Sequence, residues 1–254
     1  MATKATKPAA KPAAPGKEVA LKKSASIVSI KEALALQVAG LAGRTAPPGG
    51  DAIQITQDKF FKLPDGTKAQ ELQLVIVDFL AVNRFYEGAF DKDNISPPAC
   101  FAFGESPTEL VPSAKSPVKQ SNACASCPMN QWGSDGKGKA CKNGRILAVL
   151  PPDADDDTPI MVLNVSPTAL KGFDGFVNSI ARQFQLPPVG VVCTVTFDAN
   201  ETYAKLVFSD PQPNTMLAEH FARQGEARKR LLVEPDVSAY EAPKPATKQT
   251  ARRK

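Results

Sequence analysis

Four of the chain's five cysteines fall in one stretch, CFAFGESPTELVPSAKSPVKQSNACASCPMNQWGSDGKGKACKNGR (residues 100–145), which is too polar to build a hydrophobic core of its own. Cys100, Cys124, Cys127 and Cys141 are spaced C-x23-C-x2-C-x13-C. A C-x2-C pair lets two thiolates meet one metal ion from a single turn, and two further cysteines complete the tetrahedral shell that zinc prefers. Pro128, Gly133, Gly136 and Gly138 permit tight turns, so a metal would stand in for the missing core. The spacing predicts a structural Zn2+ with Cys100, Cys124, Cys127 and Cys141 as ligands. With every position filled by protein, nothing is left open for a catalytic water. The alternatives are two disulfides, a redox-active C-x2-C, or unrelated thiols.

Charge is unevenly distributed. The total of +5 divides into +5 for residues 1–23 (six Lys, one Glu) and +4 for residues 241–254 (five Lys or Arg, one Glu), which leaves 5 − 9 = −4 for the middle. A cationic site for a partner must therefore be a local patch. Residues 1–25 read as a disordered basic arm and 236–254 as a disordered basic tail, because Ala, Pro and Lys cannot bury enough apolar area to offset ordering entropy. The start of the chain has lysines without the apolar stretch of a secretory signal. No run approaches the roughly 18 apolar residues of a membrane span. A cytoplasmic setting without membrane partners is expected.

Between the tails the periodicity is mostly that of strands. Residues 26–50 hold one short helix, with Ile27, Ile30, Leu34 and Val38 near helical spacing, and a linker, TAPPGGD. From Ile53 the period becomes two, and LPDGT at 63–67 reads as a turn between IQITQDKFFKL and QELQLVIVDFLAV. The second of these is apolar on both faces around Leu74 to Val77, as a central strand would be. RILAVLPP and PIMVLNVS read as further strands. Ser166 and Pro167 suit an N-cap and first helical position, with Leu170, Phe173, Val177, Ile180 and Phe184 on one apolar face of the helix that follows. PPVGVVCTVTFDANETYAKLVFSD reads as a final hairpin with Cys193 in its buried stripe. A C-terminal helix over 213–235, capped by Asn214, carries Arg223, Arg228, Lys229 and Arg230 and the lone histidine, His220, expected at the surface.

These elements predict a mainly β (α+β) domain over residues 51–212, an OB-like Greek-key barrel with the four-cysteine zinc loop (100–145) inserted, a packed helix, and the C-terminal helix. The acidic run DADDD (153–157) could hold Mg2+, but a contiguous run on a Pro-flanked turn reads better as a solvated loop. The chain has no Walker loop, G-x-S-x-G or HExxH, and its one histidine has no evident partner, so no enzyme is expected.

Aromatic residues beside cations point to unpaired nucleic acid. Trp132, the single tryptophan, lies among Lys137, Lys139, Lys142 and Arg145, where an indole could stack on a base while the cations meet phosphates. Alternatively it covers the metal. A second platform would comprise Phe101, Phe103, Phe85 and Tyr86, with Arg84, Lys59 and Lys62 as backbone contacts, although such aromatics also commonly serve as core.

The segment from Leu163 to Phe208, a strand, the helix S-P-T-A-L-K-G-F-D-G-F, a long strand and then Y-A-K-L-V-F, resembles the C-terminal half of bacteriophage single-stranded DNA-binding proteins of the OB type. The block C-A-S-C-P-M-N-Q-W-G-S-D-G-K-G-K-A-C-K-N is similar to a cysteine-bearing loop of phage proteins. The resemblance spans residues 53–210. It implies a nonenzymatic protein that binds single-stranded DNA in phage replication and recombination, in the host cytoplasm, with replication proteins as partners. Such proteins commonly end in an acidic tail, whereas this chain ends EAPKPATKQTARRK. The competing expectation is a zinc-containing transcription or replication accessory factor whose loop docks a protein.

Overall fold

The structure, a computed structural model, describes residues 51–88 and 96–240. The predicted N-terminal arm, the helix and linker of 26–50, and the end of the basic tail lie outside the described residues. The fold is mainly β: nine strands form one sheet. They are β1 (Ala52–Ile55), β2 (Phe61–Lys62), β3 (Lys68–Ala69), β4 (Leu72–Phe85), β5 (Cys100–Gly104), β6 (Lys142–Leu150), β7 (Met161–Val165), β8 (Val191–Phe197) and β9 (Leu206–Pro213). Among the described residues three α-helices accompany them, α1 (Leu170–Gln183), α2 (Leu217–Ala222) and α3 (Gln224–Leu231). Among the described residues no helix is long and apolar enough to cross a membrane.

The strand order is β3-β2-β1-β7-β6-β4-β8-β9, with β5 as an extra neighbour of β4. β4 is central, as its apolar run predicts. One edge pairs with β6 from Val75 to Arg84; the other pairs first with β8, from Leu72 to Val75, and then with β5, from Ala81 to Phe85. β1 runs parallel to β7, while the other pairings are antiparallel. The LPDGT turn forms, with Gly66 at a φ of 87° that suits glycine. However, it joins only the two-residue strands β2 and β3. The expected partner strand, β4, is instead drawn to longer apolar neighbours that cover both its edges.

A register shift between Ile76 and Asp78 marks a bulge in β4. Before and after it, the side chains divide between two cores. Leu74 and Ile76 join Leu147, Val149, Leu163, Phe173, Ile180, Cys193 and Val195 beneath α1. Val77, Leu80 and Val82 join Ile146, Ala148, Leu150 and Val162 on the other face, where Ala227 and Leu231 of α3 cover them. The sheet curls enough for Phe61 of β2 to stack on Phe197 of β8, with ring centroids 4.4 Å apart.

The helices differ from expectation in detail. α1 begins at Leu170 rather than after Ser166, whose hydroxyl pairs with Thr168 at 2.9 Å. The expected apolar face is present and also includes buried Phe176. The C-terminal helix is two helices, parted at Arg223. His220 is not at the surface: it is fully buried, with Nδ1 3.1 Å from the Asn214 amide, which also donates to the Val189 carbonyl at 2.8 Å. Asn214 thus pins the start of α2 to the sheet in addition to accepting from the Met216 N–H.

Candidate metal centre and nucleic-acid interface

The face of β4 that carries the first core leads, at the strand's C-terminal end, to Asn83 and Phe85. Asn83 is paired with Ala102 and Asn143, and Phe85 with Cys100. Opposed residues of an antiparallel pair project from the same face, so β5 delivers Cys100 beside Asn83. The other three cysteines arrive from the loop between β5 and β6. The Cys124 N–H donates to the Leu110 carbonyl at 2.9 Å, and the Cys141 N–H to the Met129 carbonyl at 2.8 Å. Cys127 leads into a 3-10 turn, Pro128–Asn130, that starts on proline. The Asn130 side chain donates to the Cys124 carbonyl and that of Gln131 to the Cys127 carbonyl, at 2.8 and 3.1 Å. The loop therefore satisfies its own backbone locally, as a segment without an apolar core must.

All four loop cysteines are buried, none is disulfide-bonded, and all line one small apolar cavity with Asn83, Phe101, Pro112 and Met129. Burial raises the Cys141 thiol to about 12, reinforced by the charges of Cys124, Cys127 and Cys100 and opposed by Lys139. Burial likewise raises the Cys124 thiol, and the neighbouring Asn83 side chain opposes the rise. Yet among the described residues no group of three or more His, Cys, Asp or Glu side chains is placed to hold a metal ion as it stands. By residue type the set is nonetheless one that could hold zinc: the four cysteines line one small cavity, and the Asn83 Nδ2 atom there is buried without a hydrogen-bond partner. Cys193, the fifth cysteine, lies in the other core, and burial raises it to about 12.

Trp132 stands away from the cavity, 78% exposed. It does not cover the cysteines; Met129 and Pro112 help to do so instead. Gly133 and Gly136, at φ of 88° and 60°, close the turn beyond it. Ser134 Oγ fastens that turn by donating to the Met129 and Gln131 carbonyls and accepting from the Ala140 N–H. Lys137 is exposed in the same turn, and Lys139 and Lys142 follow it. Lys142 pairs with Asp135 at 2.9 Å, both well exposed, an arrangement that solvent leaves weak and exchangeable. Arg145 is committed elsewhere. It is buried and bound to Asp174 of α1 at 3.0 Å.

The expected second platform divides. Phe101 is 1% exposed and so lies in the interior, whereas Phe85 is half-buried at the border of the cysteine cavity. On the opposite face of β4, beyond the area that α3 covers, Arg84 lies 5.8 Å from the Phe103 ring and donates to Asn164 of β7 at 3.1 Å. Burial lowers the Arg84 pKa, and the Tyr86 charge works against that. Lys142, opposite Arg84 in the register, projects from this face, and Tyr86 is exposed just past the strand. Lys59 and Lys62 belong to a different region. The Lys59 ammonium donates to the Asp198 and Glu201 carbonyls at 3.0 and 2.6 Å and so fixes the β8–β9 loop, while Lys62 is exposed on β2.

The C-terminal arginines are engaged in structure. Arg223 binds Glu226 and the Asp155 and Thr158 carbonyls, Arg228 binds Asp78 and Glu105, and Arg230 binds Asp51. Asp155, from the acidic run, spends its carboxylate on Thr158, which holds it below the usual carboxylate range. Sequence patterning missed Asn83, Asn143 and Asn164, polar residues inside or beside apolar strand runs. Asn83 in FLAVNRF and Asn164 in MVLNV each interrupt an apolar strand run, and that interruption is the signal that was available.

Protein-family models, curated proteins and solved structures were each compared with the chain, and none of the three yields a match.

Proposed function

We propose that the protein binds single-stranded DNA without catalysis, in phage replication and recombination, through an OB-like domain whose connection between its first two barrel strands is organised by a structural Zn2+. The observation that carries this reading is Trp132, 78% exposed on the turn that follows Met129 of the four-cysteine cavity, with Lys137 of the same turn and Lys142 at the start of β6 also exposed. An exposed indole offers a flat face on which any base can stack.

Strand order supports the OB-like part. β4 is shared by β6 on one edge and β8 on the other, the sequence runs β4-β6-β7-α1-β8-β9, and the cysteine loop lies in the β4–β6 connection. In OB folds the loop after the first strand is one of the two that contact oligonucleotides. Since α3 covers the outer face of β4 and β6, the strand would follow the loop and the Arg84–Phe103 end of the sheet. Retention of labelled single and double strands by the full chain, measured across a salt series, tests the reading. Preference for the single strand, with affinity falling steeply as salt rises, is expected.

A second reading is a zinc-containing transcription or replication accessory factor. The pairing of Lys142 with Asp135 and of Arg145 with Asp174 favours it, since both cations are partly spent on the protein itself. Under it, Trp132→Ala would abolish a protein complex and leave oligonucleotide binding intact.

A further inference from the structure

We propose that Asn83 is a positioning residue of the metal centre, whose side-chain amide donates a hydrogen bond to the Cys124 sulfur in its metal-bound thiolate form. The inference rests on the zinc reading above and deepens it. Asn83 is 4% exposed, in the middle of the three-strand region where β4 lies between β5 and β6. Its Oδ1 accepts from Asn143 Nδ2 at 2.5 Å, which fixes the rotation of the amide and sends Nδ2 toward the cavity lined by the four cysteines. There Nδ2 has no hydrogen-bond partner, and Cys124 lines the same cavity.

A buried amide N–H left unpaired is costly, and buried polar groups in folded proteins are almost always paired. A neutral thiol is a weak acceptor, whereas a thiolate is a strong one. A metal-bound Cys124 sulfur would therefore satisfy the orphaned donor. A donor to a coordinated sulfur draws charge from it, orients it and makes it a poorer nucleophile toward oxidants and alkylating agents. Asn143 then acts one step further out, as the residue that keeps the amide from flipping.

The test uses the full chain with zinc, and Co2+ as a spectroscopic substitute. Two variants separate the donor from its bulk: Asn83→Leu removes both polar ends, and Asn83→Asp keeps the size and the acceptor for Asn143 while removing the donor. We expect both to lose zinc to a chelating dye with roughly 10–100-fold weaker affinity, to shift the sulfur-to-cobalt charge-transfer bands, and to alkylate faster when holding metal. The melting temperature of the metal-free variants should stay near that of the metal-free parent, which a purely structural role would not allow. Wild-type protein that binds Co2+ through sulfur, beside variants with unchanged bands and zinc affinity, would overturn the role of Asn83 and leave the zinc site standing. Wild-type protein with no sulfur-to-cobalt bands would overturn the zinc site itself.

Discussion

Phe61 stacks on Phe197 with centroids 4.4 Å apart and planes inclined by 26°, joining β2, near one end of the strand order, to β8, near the other. The contact records how far the sheet curls. Phe61 is fully buried although β2 is only two residues long, so its hold on the fold is through packing and not through strand pairing. Phe61→Ala should lower unfolding free energy by about 3–5 kcal/mol, measured by chemical denaturation; a loss below about 1 kcal/mol would mean that the curl does not depend on this pair.

The same closure carries an electrostatic lock. Lys205 bonds Asp198 at 2.9 Å and Glu201 at 3.2 Å in the β8–β9 loop. The Lys205 bond, followed by the Asn200 N–H, holds the Asp198 carboxyl below its usual range, and the two carboxylates hold Lys205 above its own. A lowered carboxyl pKa contributes order above the unfolded value and loses it as pH falls through the folded value; a raised lysine pKa contributes below its unfolded value and loses it as pH rises through the folded one. The loop should thus be best ordered between the acidic and strongly alkaline limits. Lys205→Met should return the Asp198 carboxyl, followed by NMR titration, toward the ordinary value of about 3.9.

α3 is fastened over the outer face of β4 and β6 by few apolar side chains, Ala227 and Leu231, and by the Arg228–Asp78 pair at 2.6 Å. Asp78 immediately follows Val77, the unpaired residue of the β4 bulge, and is more buried than its partner. Arg228→Ala should cost about 1–2 kcal/mol, between an exposed and a buried pair, and should speed amide exchange in α3 before that in β4. Uniform exchange across both elements would show that α3 is held by other means.

Much of this architecture was legible in residue pattern. The two-sided apolar run of β4 marked it as central, Cys193 belonged to the core stripe, and the glycine and proline spacing marked a loop without its own core. What sequence could not supply was partnership across distance. His220 reads as a surface residue because its helix is polar, yet it is buried against Asn214, six residues away, whose amide also donates to the Val189 carbonyl. Phe101 and Phe103 lie on the same face of β5 and look equivalent, yet the first is 1% exposed, where the Ser113–Ser116 segment bonds its backbone, and the second is only half-buried beside Arg84. Arg145 reads as a free cation until α1, placed by distant packing, brings Asp174 to it.

Removing the metal should act on one part of the molecule. The cysteine loop has little apolar packing apart from Leu110 with Ala81, Ala102 and Cys124, whereas the two main cores are independent of it. Zinc analysis should give one ion per chain. Chelation or Cys141→Ser should then disorder residues 105–141, seen as rapid proteolysis there, while the strand signal in circular dichroism persists. Cleavage unchanged by chelation would remove the metal from the account of the loop.

The most direct measurement follows the fluorescence of Trp132, the only tryptophan, during titration of the zinc-loaded full chain with oligo-dT at low salt. Binding should quench the emission, each tenfold rise in salt should weaken it steeply, and Trp132→Ala should cost about 1–3 kcal/mol of affinity without loss of stability. Emission and mobility unmoved by oligo-dT at low salt would contradict the assignment of this surface to unpaired DNA.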